Sequence, residues 1–254
     1  MASHVIFSDV SMVKRAQMET SGHSPAWDAP STRRSWLMSL VINVIELFGW
    51  AGAWVILLGI SAHGSDWIFW VLMPYFPYGL YRVVIQIRGF LVILNILRVL
   101  REYPWRIYHE LARGIDDHPD AENSGIWIGF PDPVGGEGVE IPMTFVKHHR
   151  AFWWLRRIGG PRTKPALKAQ LEPLWFAGDP RFLGVVAVSS KDGKTPKRLH
   201  FLYQPSAYDG RAPRRSWEGA DPADLERARR AGARYVDASP PAGSGVKGSE
   251  GAET

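Results

Sequence analysis

The sequence predicts a membrane α-helical hairpin joined to a small, mostly-β cytoplasmic domain, a barrel or half-open sandwich. Three observations predict it. Two long apolar runs lie close together between residues 36 and 87, joined by a link without Lys or Arg. Basic residues crowd the outer flanks of that pair. Past Pro104 the apolar period shifts from long runs to short stretches, each closed by turn residues.

The first run, Trp36 to Ile60, holds 25 residues and one charge, Glu46. A bilayer core of ~30 Å needs ~20 apolar residues in a helix, so the run is long enough to cross. The link, Ser61 to Asp66, leads into a second run of 21 residues, Trp67 to Ile87, with Arg82 near its far end. Lys14, Arg15, Arg33 and Arg34 precede the pair, and Arg88, Arg98, Arg101 and Arg106 follow it. The positive-inside rule then places both termini in the cytoplasm and the short link outside. The opening residues are too long and too polar for a signal peptide, and no small-residue cleavage site follows the first run.

Apolar character continues past Ile87 as RGFLVILNILRVLRE. An unbroken helix from Trp67 to Leu97 would be roughly 46 Å long, more than the core spans. Its end must tilt, protrude or lie in the interface, where Arg88, Arg98 and Arg101 suit a snorkelling helix. A rival reading breaks the chain at Pro74 to Gly79 and makes Val83 to Leu100 a third crossing.

Folding the hairpin about Gly64 brings Glu46 level with Arg82 and Asn43 level with Gln86. Polar groups in hydrocarbon are costly and usually meet a partner, so these four form the expected intramembrane polar set, with a Glu46–Arg82 contact expected to fix the hairpin register. Gly49 and Ala53 are expected to let the helices approach. A proton or ion relay is the functional alternative, and it needs more such sites than two helices offer unless the chain forms a homo-oligomer.

Strands are expected at 105–112, 126–130, 139–146, 174–177, 182–189 and 198–204. Gly135 to Gly138 and Asp192-Gly193 read as hairpin links. Asp179-Pro180, inside the run LWFAGDPRFLGVVAV, reads as a turn at a corner of the barrel. The chain thus divides into a polar, largely disordered segment at 1–35, the hairpin at 36–87, an interfacial juxtamembrane helix at 88–102, the β-domain at 103–207 and a polar tail at 208–254. A short helix at 222–236, capped by Asp221 with Pro222 at its first position, lies in that tail, and composition predicts disorder beyond it.

Signals for chemistry are weak. The chain has no Cys, which excludes disulfides and thiolate sites. Gly193-Lys194-Thr195 lacks the upstream glycine of a phosphate loop, and the acidic loop at 116–122 lacks calcium-loop spacing. His148-His149 has no carboxylate at ligand spacing. No catalytic residue, metal site or cofactor is therefore assigned. One segment stands apart: no acid occurs between Glu140 and Glu172, while HHRAFWWLRR interleaves bases with aromatics. Lys147, Arg150, Trp153, Trp154, Arg156 and Arg157 are the expected contacts to anionic lipid headgroups. Single-stranded nucleic acid is the weaker partner for them, and a loop whose aromatics complete the β-core is the structural alternative.

The two-pass hairpin, Tyr103-Pro-Trp-Arg106, the Trp175 to Phe182 run WFAGDPRF and the following Gly184-Val-Val together resemble a group of two-pass integral membrane proteins of high-GC actinobacteria. The likeness covers roughly residues 36 to 204 and implies architecture and location alone. The function expected is that of an anchored domain with a binding or scaffolding role toward an unidentified protein. The alternatives are a membrane-proximal enzyme and a small transport or channel subunit.

Overall fold

A computed structural model describes residues 19–20, 24–64, 66–115, 125–134, 139–146, 151–159, 163–190, 192–208 and 220–236. The hairpin consists of α1 (Pro30–His63), α2 (Asp66–Leu72) and α3 (Tyr75–Glu102). Pro30 occupies the first turn of α1, where its missing N–H costs nothing. Met73-Pro74 interrupts the return helix between α2 and α3, and Pro77 is tolerated because it lies in the first turn of α3. The two helices are long and apolar enough to cross a membrane. α1 is apolar all round: Leu37, Ile45, Phe48, Val55 and Ile56 stand exposed, and among its residues Thr32 and Asn43 alone are buried. A helix of a soluble domain would instead bury one stripe.

α3 does not stop where the second apolar run stops. It continues without a break to Glu102, and its surplus length protrudes into the β-domain. Ile93, Ile96, Val99 and Leu100 are buried there, while Leu91 and Leu94 stay exposed. Residues 88–102, expected as a separate interfacial helix, are therefore the end of one rod that carries a core stripe of the domain. Lipid and a protein core demand the same residue types, so composition did not tell the two apart.

The domain is a curled antiparallel half-barrel. Its strands are β1 (Glu19–Thr20), β2 (Arg106–Tyr108), β3 (Arg113–Ile115), β4 (Ile126–Pro131), β5 (Glu140–Phe145), β6 (Leu174–Asp179), β7 (Leu183–Ser189) and β8 (Pro196–Tyr203). They pair in the order β1-β2-β6-β7-β8-β5-β4-β3. The expected run at 105–112 is cut short: β2 covers 106–108 alone, and Glu110 at φ +56° turns the chain toward β3, which begins just past the run and lies at the far edge of the sheet. The segment after β5, where no strand could be read, is helical. It forms α4 (Ala151–Ile158), α5 (Pro165–Lys168) and a 3-10 turn at Ala169–Leu171, and it carries the chain across to β6.

The sheet is covered on both faces. Ala177, Leu183, Val185, Ala187 and Phe201 face α3, where Ile96, Val99 and Leu100 meet them. Phe176, Val186, Val188 and Leu202 face the inside of the curl with Phe130, Met143, Trp154 and Leu171. Strict alternation along β6 and β7 thus sends every residue into one core or the other, which is why LWFAGDPRFLGVVAV reads as nearly continuous apolar sequence. The bend between β6 and β7 is as expected, since Phe182 N–H donates to Asp179 O at 3.0 Å. At Gly178, φ is +150°, and a Cβ would lie 2.4 Å from Gly184 Cα, so the strands touch backbone to backbone there.

Both flanking segments differ from expectation. Residues 24–35, placed in a largely disordered opening, are packed: Ala26 and Thr32 are buried, and Trp27 meets Trp36 edge-to-face at 5.5 Å. Ala26 N–H also donates to Tyr103 O at 2.9 Å. The helix in the tail is α7 (Pro222–Ala231), which follows the one-turn α6 (Pro205–Tyr208). Asp221 caps it through Ala223 N–H at 2.9 Å, as its sequence predicts. It is no free tail, because Ala228, Ala231, Ala233 and Val236 join the core beneath α3. Small residues hide this contact from a hydropathy reading.

Candidate functional site

Three places concentrate polar groups. The first lies between α1 and α3. Trp36 Nε1 donates to Ile93 O at 3.0 Å, Asn43 Nδ2 to Gln86 O at 3.1 Å and Trp54 Nε1 to Phe76 O at 3.3 Å. Each pair straddles the link nearly symmetrically, and Asn43 meets Gln86 as the sequence register places it, whereas Glu46 and Arg82, expected in contact, engage Gln86 and the Trp50 ring instead. Gln86 Nε2 donates to Glu46 Oε2 at 2.7 Å, and Asn43 and Gln86 are fully buried. The Arg82 guanidinium lies over the Trp50 ring at 4.9 Å, and Trp50 in turn meets Tyr78 edge-on at 5.6 Å. Gly49 and Ala53 do not make the close approach. Gly49 has open space around it, whereas a Cβ on Gly79 would lie 2.9 Å from Trp54 Cδ1. The small residue that matters is thus on the return helix, opposite an indole. These contacts tie α1 to α3, although Asn43 Oδ1, Gln86 Oε1 and Arg82 Nε stay buried without a hydrogen-bond partner.

The second place is the Asp179 turn. Asp179 and Arg181 are both buried, at 8% and 3% exposed. Asp179 Oδ1 accepts from Arg181 N at 2.9 Å and from Nε at 3.0 Å, and Oδ2 accepts from Nη2 at 2.6 Å. Nη2 also donates to Asp224 Oδ2 of α7 at 2.8 Å. Burial opposes the guanidinium charge, but the hydrogen bonds and charges of Asp179 and Asp224 outweigh it and raise the Arg181 pKa. The corner of the barrel is therefore also a two-carboxylate clamp on the C-terminal helix. Sequence reasoning found the turn and missed the clamp, since Asp224 lies far along the chain.

Tyr103, the C-cap of α3, stands beside this clamp, and its buried hydroxyl has no hydrogen-bond partner. Burial first, and then the Asp179 charge, push its phenol above the usual value of 10.0. The folded state therefore holds that proton more tightly than the unfolded chain. The stability it lends is complete below pH 10.0 and is lost as pH rises above it. Tyr103→Phe is expected to flatten that alkaline loss. At neutral pH it should leave stability within about 1 kcal/mol, because no hydrogen bond is removed. Denaturant unfolding in detergent micelles at neutral and alkaline pH checks both. A larger neutral-pH loss would show that the hydroxyl has a partner.

The third place is α4. Lys147 and Arg150 of the expected patch lie outside the described residues, as do the acidic loop and the His pair. The other four are divided by the helix. Trp154 is buried, 2% exposed, against Phe145 at 5.5 Å, and serves the core inside the curl. Trp153 is half-buried, with the Arg157 guanidinium 3.9 Å and the Arg198 guanidinium 4.6 Å from its ring centre. Arg156 lies over the exposed Phe152 at 4.5 Å. Arg198, which no sequence signal marked, comes from β8. There a bulge sets Arg198 and Leu199 against Ala187 alone, and Arg198 takes φ +55°.

A cleft of about 380 Å³ opens between the segment before α1 and the end of the β7–β8 hairpin, lined by Asp28, Thr32, Trp105, Trp175 and Lys194. Thr32 Oγ1 already accepts from Trp105 Nε1 at 2.9 Å, and Trp175 Nε1 is bound to Ser189 Oγ at 2.7 Å. Among the described residues, no three His, Asp or Glu side chains gather closely enough to hold a metal ion. Comparisons of the chain with protein-family models, with curated proteins and with solved structures find no match.

Proposed function

We propose that this chain is an integral protein of a bacterial plasma membrane that mounts its β-domain rigidly on the inner leaflet, with both termini cytoplasmic, for binding or scaffolding rather than catalysis. The observation that carries the reading is the continuity of α3, one helix that is lipid-length and apolar at its start and a core element of the domain at its end. A flexible linker would let a domain roam, whereas a shared helix fixes which face it turns to the membrane. The basic flanks support the orientation: Arg33, Arg34, Arg88, Arg98 and Arg101 lie on the domain side, while the link between the helices has no Lys or Arg.

Because the chain has no Cys, single substitutions report sidedness cleanly. In intact cells, Gly64→Cys is expected to react with an impermeant maleimide, and Asp192→Cys only after lysis. The reverse pattern, or labelling of both before lysis, would overturn the topology.

A further inference from the structure

We infer that Arg156, Arg157 and Arg198, gathered over the adjacent rings of Phe152 and Trp153, form a phosphate-binding site for the anionic lipid headgroups of the membrane that the hairpin occupies. The inference rests on the reading of the hairpin as a membrane anchor. Helical spacing puts Arg156 and Arg157 one turn after Phe152 and Trp153, so each guanidinium folds back over an aromatic ring. The bulge in β8 then aims Arg198 at the same Trp153 ring.

Three guanidiniums in one place repel each other, and among the described residues no carboxylate pairs with any of them. Arg157 has only neutral acceptors, Gln170 Oε1 at 2.9 Å and Trp153 O at 3.2 Å. Burial first, and then the charges of Arg198 and Arg156, lower its pKa. Arg198 adds a backbone cost, since a left-handed φ is strained for any residue but Gly, Asn or Asp. Among the described residues nothing offsets the repulsion. A phosphate answers the repulsion, accepting hydrogen bonds from several guanidiniums at once.

Position selects the lipid as the source of that phosphate. Ser35 Oγ donates to Pro196 O at 2.7 Å, which ties the start of β8 to α1 one residue before its apolar run begins. Arg198 lies two residues further along β8, and Lys197 between them is exposed. The cluster thus stands next to the point where α1 passes from the domain into its apolar run. Cations at that level are attracted to anionic headgroups, and half-buried Trp suits the same depth. Nucleic acid is disfavoured by the same geometry. Trp154 is buried in the core, and Trp153 already carries two guanidiniums, so no row of free aromatic faces is left for bases to stack on.

The test uses the full chain carrying Phe152→Cys with a fluorophore on the thiol. It is placed in nanodiscs of phosphatidylcholine alone or of equal parts phosphatidylcholine and phosphatidylglycerol, each doped with a headgroup-labelled quenching lipid. Quenching is expected to rise several-fold in the anionic discs. Arg156→Gln with Arg157→Gln is expected to abolish most of the difference. Arg198→Gly, which relaxes the backbone, is expected to reduce it while the chain stays folded. Equal quenching in both discs, or a difference untouched by these variants, overturns the site. A single-stranded oligonucleotide that shields the label where anionic lipid does not overturns it in favour of nucleic acid. Extraction of the protein from native membranes by alkaline carbonate overturns the anchor itself, a result distinct from retention without lipid selectivity.

Discussion

Replacing Arg181 by Ala is expected to destabilise the domain by roughly 3 to 5 kcal/mol, because it leaves the Asp179 carboxyl buried and without its bidentate partner. Asp224 loses its contact to the sheet in the same step, so α7 is expected to loosen as well. The loss belongs to the orphaned carboxyl rather than to the ion pair as a whole. Removing both partners, as Asp179→Leu with Arg181→Met, is therefore expected to recover most of it, since a buried pair and a well-packed apolar replacement are often close in energy. Denaturant unfolding in detergent, followed by near-ultraviolet circular dichroism, measures both variants. A double variant no more stable than Arg181→Ala would refute this account.

The adjacent tryptophans of α4 are expected to behave in opposite ways. Trp154→Ala removes a side chain 2% exposed inside the curl, next to Phe145 and His200. Loss of transferred area plus the cavity left behind makes a cost of about 3 to 5 kcal/mol. Trp153→Ala takes away a half-buried ring that lies at the edge of the core beside Trp154 and carries two arginines, and it should cost much less. Its effect falls instead on the preference for anionic discs, which should drop. If both substitutions unfold the domain equally, Trp153 is a core residue and the division of the pair fails.

The hairpin was legible because a bilayer imposes length and apolarity on a contiguous stretch. Its register was legible too, since Asn43, Glu46, Arg82 and Gln86 are rare polar residues in runs that otherwise tolerate none. The central strands could be read from their turns, with Asp179-Pro180 and Asp192-Gly193 marking both ends of β7. What stayed hidden depends on contacts between distant residues. Arg198 reaches Trp153 through a bulge that no local pattern announces, and Arg181 reaches Asp224 across 43 residues. The helix at 151–158 was obscured by Phe152, Trp153 and Trp154, which favour strands by local propensity. The docking of α7 escaped notice because it is made by alanines.

The shared rod has a consequence for how the chain comes off the ribosome. With the hairpin in a bilayer, as proposed above, α1, α2 and α3 enter it as a pair before the rest of the sheet is made. Ile96, Val99 and Leu100 are then finished while β6, β7, β8 and α7, which cover them, are still unmade. For that interval a sticky stripe projects from the membrane surface with no sheet to receive it. The basic residues on the same rod, Arg98 and Arg101, can hold it against the headgroups meanwhile. Release from the lipid surface and closure of the half-barrel become one event, and a nascent chain that stalls before residue 236 is left with its core unroofed.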